Sequence, residues 1–135
     1  MKDPEVLTQR LREHVKDDLC RAFADESGTL ATLVLDQAYE DRLVSLIRRS
    51  DDGHVLGLDP AGALALASAV RRHVELKRRE DLPPVVVCVP ALRLPLSRML
   101  RRYDPRIHVL SFTELSPEIM LVPAGLVEQP RSSPV

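Results

Sequence analysis

The stretch PPVVVCVPALRLPLSRMLRRYDP, residues 83–105, decides the fold class because it joins a buried strand to an amphipathic helix. Its first part, VVVCV, is apolar throughout and bounded by prolines, which is typical of a strand covered on both faces. In the second part, apolar residues recur at helical spacing and are expected to face inward: Leu92, Leu96, Met99, Leu100 and Tyr103. Four arginines are expected on the outer face: Arg93, Arg98, Arg101 and Arg102.

Three more helices and a strand are predicted upstream. The first helix begins at Asp3, ends at ADESGT and is expected to place six apolar residues inward: Leu7, Leu11, Val15, Leu19, Ala22 and Phe23. LATLVLD follows it as a buried strand. Asp36 then caps a helix that runs to about Ser50. After the short apolar piece HVLGL, Asp59 and Pro60 start a third helix with four inward residues: Leu64, Ala67, Val70 and Val74.

The segment behind residue 105 supplies the rest of the sheet. RIHVLSF is predicted as a strand, TELSPE as a turn, and IMLVPAGLV as a last strand that is interrupted at Pro123, together forming a hairpin-like return. The alternation of strands and helices predicts an α/β fold: a small mixed sheet with packed helices, preceded by an amphipathic helix. EQPRSSPV is expected to be a disordered tail.

The composition is that of an ordinary globular domain. The 135 residues suffice for one core, and the net charge of −1 favours neither nucleic acid nor a membrane surface as a partner. MKDPEVLTQR is no signal peptide and the apolar runs are too short to cross a bilayer, which predicts a cytosolic polypeptide. The two cysteines, Cys20 and Cys88, and the four scattered histidines indicate neither a disulfide nor a metal site, and no cofactor is predicted.

Cys88 raises the question of catalysis, because a thiol at a strand-to-helix corner near a cation can be activated for phosphate transfer. Arg93 follows it in a C-x4-R spacing, one residue shorter than the C-x5-R loop of cysteine phosphatases, and VPAL has no glycine to turn amides toward a phosphate. A cysteine in a β-branched run is most often a small buried hydrophobe with a raised pKa. We therefore interpret Cys88 as structural, with a cysteine-dependent phosphatase-like domain using Cys88 and Arg93 as the alternative.

Basic residues gather late in two of the predicted helices: Arg71, Arg72, Lys77, Arg78 and Arg79 in one, and Arg98, Arg101, Arg102 and Arg106 in or just behind the other. Cations suit a helix C-terminus, so solvated helix ends explain them without a function. Alternatively, both helices end on one side of the sheet and present a basic edge to an acidic protein or to nucleic acid. The aromatic content of 3% favours the protein. Carboxylates occur as caps or on solvated faces, so no catalytic residue is assigned.

Several motifs occur in the order expected of one family. Residues 83–127 run from an apolar strand ending in cysteine, through an arginine-rich helix, to VLSFTEL and a final AGLV. Upstream lie DPEVLTQRLREHVKDDLCRAF, LVLDQAYEDRLVSLI and GLDPAGALALASAV. Together they resemble the C-terminal part of the cytoplasmic domain of the type III secretion export-gate proteins, the FlhA/LcrD/SctV or FHIPEP family. Val89 and Ala91 depart from the serine and aspartate frequent there, which removes a side-chain cap, and Pro95 stands in place of a helix former.

The resemblance implies a module of the export gate that is not an enzyme. Family members form nine-subunit rings below the inner membrane and receive chaperone–substrate complexes, gatekeeper proteins and the ATPase stalk. The chaperone cleft is implied to lie chiefly on earlier subdomains, with this one as a wall that moves between open and closed arrangements. Ring contacts are implied mainly for the preceding subdomain, so the isolated chain is expected to be monomeric and linked to the membrane only through a preceding transmembrane portion. The sequence does not decide between an injectisome and a flagellar system, although the injectisome branch of the family is favoured.

The resemblance also implies a division of the chain. Residues 1–27 would be a helix of the preceding helical subdomain, residues 28–127 the C-terminal α/β subdomain, and residues 128–135 a disordered tail. The protein-binding surface is expected on the arginine helix and on the turn after RIHVLSF: Arg93, Arg98, Arg101, Arg102, Phe112, Glu114 and Pro117.

Overall fold

The computed structural model describes residues 4–24, 28–51, 53–78 and 84–129. Asp3 and residues 130–135 of the expected tail lie outside these ranges. Within them, helices and strands follow one another in this order: α1 Pro4–His14, α2 Lys16–Phe23, β1 Thr29–Leu35, α3 Gln37–Ser45, β2 Ile47–Ser50, β3 Gly53–Leu56, α4 Pro60–Arg78, β4 Val85–Cys88, α5 Pro90–Tyr103, β5 Val109–Ser111, a 3-10 turn Phe112–Glu114, and β6 Met120–Val127.

The main sheet has four strands in the order β5-β4-β1-β6, and every neighbouring pair is parallel. The α/β class with packed helices is therefore confirmed. The expected hairpin-like return is wrong, because β6 pairs with β1 at the far edge and not with β5. Leu115 and Ile119 pack on one face of the sheet, so the connection between β5 and β6 crosses that face. The antiparallel pairing in the described ranges joins β2 to β3 in a separate two-stranded sheet.

Helices and loop cover the two faces of the main sheet, as the apolarity of VVVCV predicts. One face carries the larger core, to which α3, α4 and α5 contribute together with Val86 and Cys88 of β4. The other face carries a smaller cluster made by Leu30, Val85, Val87 and Leu110, and packed against it are Phe23, Leu115 and Ile119. All four residues of β4 are consequently buried.

The sequence predicts the helix starts better than the helix ends. Asp36 caps α3 as expected, since its carboxylate accepts a hydrogen bond from the Tyr39 amide at 3.3 Å. The helix ends at Ser45, however, because Ile47–Ser50 form β2 and pair with Gly53–Leu56. Asp59 likewise holds the start of α4 by accepting from the Gly62 amide at 2.7 Å. The expected inward position of Leu64 is wrong: it is 53% exposed, and Ala63 and Leu66 face the core instead.

The N-terminal helix departs furthest from expectation. It is broken at Val15 into α1 and α2, and the predicted inward face of α1 points away from the sheet. Leu7, Leu11 and Val15 are 42%, 67% and 48% exposed. Cys20 of α2, by contrast, is fully buried.

The two last strands also differ in extent from the predicted ones. β5 contains only Val109–Ser111 of RIHVLSF. β6 continues through Pro123, and a bulge at Ala124 shifts its register against β1. Because β6 lies at the edge of the sheet, a proline without an amide hydrogen is tolerated there.

Candidate protein-binding surface

The corner between β4 and α5 provides a poor site for a reactive thiol. Cys88 is fully buried, and burial together with the nearby carboxylate of Glu40 raises the pKa of its thiol. The same carboxylate accepts a hydrogen bond from the Val89 amide at 3.2 Å, so an anion of the chain itself already lies at the start of α5. Burial also raises the pKa of Glu40. This environment disfavours both the thiolate and a second anion, which are what a phosphatase would need.

Arg93 is not on the outer face of α5, contrary to prediction. Its side chain is buried under α1, and its Nε donates a hydrogen bond to Oε1 of Gln9 at 2.8 Å. Burial lowers the pKa of its guanidinium. A helical pattern marks an arginine as outward, but it does not reveal that another helix lies over that position. Arg93 therefore contributes no exposed surface.

Glu114 is also fully buried. Like Arg93, it therefore does not belong to the exposed protein-binding surface that the sequence predicts. Its Oε1 accepts from the Ser111 amide at 2.7 Å and its Oε2 from Nε of Arg12. Together with Ser111 it forms a capping box around the 3-10 turn. The S-x-x-E spacing was the signal in the sequence that could have revealed this role.

The remaining predicted residues are exposed, but they are divided between α5 and the connection after β5. Arg98, Arg101 and Arg102, which we call the basic patch, occupy the C-terminal half of α5. A helix that connects two parallel strands runs antiparallel to them. The basic patch at the end of α5 therefore lies near the amino-terminal ends of the strands. Phe112, which is 48% exposed, directly follows the carboxyl end of β5 at the opposite end of the strands, and the exposed Pro117 lies further along the connection that leads back to β6.

Two members of the basic patch have no acidic partner in the part of the chain that the structure describes: Arg101 and Arg102. Arg98 differs, because its Nη1 donates to the backbone oxygen of His54 at 3.3 Å and lies 3.8 Å from Oε1 of Glu5. Burial, with a smaller contribution from the charge of Arg101, lowers the pKa of His108. The patch is therefore a cationic surface with unneutralised charge.

The C-terminal ends of α4 and α5 meet near these strand ends, as the basic-edge hypothesis requires. Part of their positive charge, however, is neutralised by carboxylates of the same chain. Nη2 of Arg106 lies 3.0 Å from Oε1 of Glu75 and 2.9 Å from Oδ2 of Asp104. Nε of Arg71 lies 3.8 Å from the same Asp104 oxygen. The hydrogen bonds from Arg106 lower the pKa of Asp104 to about 2. Arg71 and Arg106 thus join α4 to the turn after α5.

Sequence reasoning did not detect the polar contacts of α1. Gln9 bonds to Ser111, Arg12 to Glu114, and Glu13 to Thr113. Each bond spans a sequence separation of about one hundred residues. Beside them a cleft of about 410 Å³ lies between α1 and the start of α5, with Val6, Ile47, Ala91, Leu94 and Pro95 among its lining residues. These contacts place α1 against the α/β unit without burying its leucines.

Two further findings concern metal and membrane. Across the described ranges, no three His, Cys, Asp or Glu side chains come together in a way that could hold a metal ion. Among the described helices, none combines the length and the apolarity needed to cross a bilayer.

Known proteins resemble this chain over most of its length. Residues 1–120 match the FHIPEP family model. The flagellar biosynthesis protein FlhA of Bacillus subtilis strain 168 is 23% identical over 93% of the chain and 19% of its own length, and the low calcium response locus protein D of Yersinia pestis is 26% identical over 93% and 18%. The chain thus spans less than a fifth of the length of these relatives.

Solved structures share the fold. The nonameric SctV-C of EPEC superposes with a TM-score of 0.80 at 20% identity, covering 94% of this chain and 38% of that one. A chain of the Chlamydia pneumoniae CdsV and CdsO protein complex superposes with a TM-score of 0.79 at 24% identity, covering 94% of this chain and 37% of that one. With the family model matching 120 of 135 residues, the chain belongs to the FHIPEP family.

Proposed function

We propose that this chain is a protein-docking module of a type III secretion export gate and that it performs no catalysis. The observation that carries the proposal is the basic patch on α5, two of whose arginines lack an acidic partner in the described ranges, on a chain that belongs to the FHIPEP family. Unneutralised charge at a surface steers an oppositely charged partner and fixes its orientation. The environment of Cys88 adds support, because it disfavours the alternative phosphatase chemistry.

The partners that we propose follow from the relatives. A nonameric SctV-C of EPEC supports a ring as the working assembly, and a complex of CdsV with CdsO supports the binding of a further protein. We extend this to secretion chaperones with their substrates, to the gatekeeper and to the ATPase stalk. An acidic surface on one of them would pair with the basic patch. The module would lie at the cytoplasmic face of the bacterial inner membrane.

The division of the chain is a proposal of the same kind. We propose that residues 1–27 belong with a preceding helical subdomain, that residues 28–127 form the docking subdomain, and that residues 128–135 are a tail. The support is the outward apolar face of α1, made by Leu7, Leu11 and Val15. An apolar stripe of this kind needs cover in the working protein.

Charge reversal in the full-length protein tests the docking function. In the source bacterium, Arg101→Glu and Arg102→Glu, singly and together, are expected to lower the amount of export substrate in the medium, by about tenfold or more for the double variant, since like charges across an interface repel. The matched control is Arg42→Glu on α3, which reverses another exposed charge outside the basic patch. Immunoblotting of membranes checks that each variant accumulates to the same level.

Three outcomes are informative. Loss of secretion in the patch variants, with normal secretion in Arg42→Glu, supports docking through the basic patch. Unchanged secretion in the double variant contradicts it. Steeply salt-dependent retention of the wild-type chain on DNA, abolished by the same double variant, would favour a nucleic-acid partner instead.

A further inference from the structure

Helix α1 is attached to the rest of the molecule by its polar side. The residues that it directs toward the α/β unit include Gln9, Arg12 and Glu13, whereas Leu7 and Leu11 are exposed. Burial of apolar surface is the usual source of helix docking, and α1 gains little of it from its leucines. Hydrogen bonds and ion pairs must therefore supply much of the free energy that holds α1 against the α/β unit.

Two groups of bonds hold α1: near its start, Oε1 of Glu5 accepts from the His54 amide at 2.7 Å, and near its end the bonds centre on the carboxylate of Glu114. Glu114 has no exposed surface, and its two oxygens divide between partners on different elements: Oε1 accepts from the Ser111 amide at 2.7 Å, and Oε2 accepts from Nε of Arg12. Arg12 keeps a side-chain exposure of only 26%. A charge-assisted bond in such a setting is considerably stronger than one at the surface. Glu114 thus links the 3-10 turn to α1.

Neighbouring side chains extend the link. Gln9 acts from both ends of its amide, since Nε2 donates to Oγ of Ser111 at 2.8 Å and Oε1 accepts from Nε of Arg93 at 2.8 Å. Oγ1 of Thr113 donates to Oε2 of Glu13 at 2.6 Å. In the described ranges no buried side-chain nitrogen or oxygen lacks a hydrogen-bond partner. The network is satisfied only while α1 is in place.

Helix α2 is held by a different means. Cys20 is fully buried, and its sulfur accepts from the Ser116 amide at 3.2 Å. The ring of Phe23 lies 4.7 Å from that of His108 and packs against the smaller core. Between the two helices, Val15 has φ −105° and ψ 26°, which interrupts the helix. The chain can therefore bend at Val15 while α2 stays buried.

We infer that Glu114 is a polar clamp: its carboxylate fastens α1 to the α/β unit, and loss of its charge releases α1 at Val15 while α2 and the sheet stay folded. Removing one partner of a buried pair is costly because the other charge is left without compensation. Arg12, unlike a residue of the core, can escape this cost by moving into water together with α1. The clamp therefore opens locally.

Limited proteolysis of the 135-residue chain tests the clamp, because a released helix of eleven residues is too short to persist alone and exposes its arginines to trypsin. Glu114→Gln keeps an oxygen for the Ser111 amide but loses the charge. Arg12→Met removes the cation and leaves the capping box intact. Each is expected to raise the rate of cleavage after Arg10, followed by mass spectrometry, by about tenfold or more, since hydrogen bonds to charged groups are the stronger class.

The controls separate a clamp from general destabilisation. Glu118→Gln removes an exposed carboxylate a few residues away and is expected to leave the cleavage rate unchanged. Combining Glu114→Gln with Arg12→Met is expected to add little to either single change, as for two residues that act through one contact. Hydrogen exchange of the β4 amides reports on the sheet in every variant.

Two results would overturn the clamp. One is an unchanged rate of cleavage after Arg10 in Arg12→Met, a variant at a partly exposed position that is expected to fold. The other is a rise in β4 exchange that parallels the rise in cleavage, since α1 would then be released only by unfolding of the whole chain.

Discussion

Cys88 illustrates how burial sets the chemistry of a single side chain. The thiol ends β4 inside the larger core, where the charged form would lose its hydration, and Glu40 adds a negative charge nearby. The positive charge of Arg93 opposes this effect but is outweighed by burial and by the Glu40 carboxylate. The nucleophile that the cysteine–arginine spacing suggests is therefore suppressed.

The thiols provide the first prediction. In the folded chain, neither Cys20 nor Cys88 is expected to react with a thiol reagent such as iodoacetamide between pH 7 and about 9, because both sulfurs are buried and the pKa of the Cys88 thiol is raised. In denaturant, both are expected to react. Mass spectrometry after timed alkylation measures the modification. Rapid labelling of Cys88 in the folded state would revive the phosphatase-like alternative.

Glu114 and Arg12 show why charged residues were hard to place. Both types are ordinarily exposed, and their positions in the sequence look like solvated surface. Their contact joins residues that are 102 positions apart. A pattern within one element contains no information about such a contact.

At the scale of elements, α1 and α5 have similar apolar patterns but opposite environments. Leu92, Leu96 and Leu100 of α5 are fully buried, whereas Leu7 and Leu11 of α1 are exposed. Periodicity identifies an amphipathic helix in both cases, but it does not say what covers the apolar side. The polar contacts of α1 decide its orientation in this chain.

Matched alanine substitutions test this difference. Leu11→Ala is expected to change the free energy of unfolding by less than about 0.5 kcal/mol, since it removes a side chain that is 67% exposed. Leu96→Ala is expected to lower it by about 2 to 5 kcal/mol, because it leaves a cavity in the core. Urea denaturation followed by circular dichroism measures both. An equally large loss in Leu11→Ala would mean that α1 packs its leucines inward in solution.

At the scale of the whole molecule, the order of strands predicts where stability is concentrated. β1 and β4 are the central strands, with a partner on each side and helices or loop on the two faces of the sheet. α1 is attached by polar contacts of Glu5 and around Glu114, and it is separated from α2 at Val15. Local opening should therefore be far easier for α1 than for the centre of the sheet.

Hydrogen exchange measures this gradient. The amides of β1 and β4 are expected to exchange only through global unfolding, whereas those of α1 exchange through local opening, with protection lower by about a hundredfold or more. The experiment uses the 135-residue chain at neutral pH and reads peptides by mass spectrometry. Equal protection of α1 and β4 would contradict the local character of its attachment.

The sequence by itself determined the α/β class, the strand–helix unit of residues 83–105, the caps Asp36 and Asp59, and the motif order that indicated the FHIPEP family. These depend on local periodicity, on backbone chemistry at helix starts and on short patterns, all of which are carried by neighbouring residues. The exposure of Arg101 and Arg102 was also predictable from the α5 pattern.

Only the tertiary structure decided that Arg93 and Glu114 are buried, that the leucines of α1 face outward, and that β6 lies beside β1. It also separated the basic patch from Phe112, because a crossover helix runs back along the sheet while the strand behind it runs forward. The physical reason is common to all of these. A side chain is buried or exposed according to which distant segment covers it, and the covering segment is selected by contacts among elements that lie far apart in the sequence.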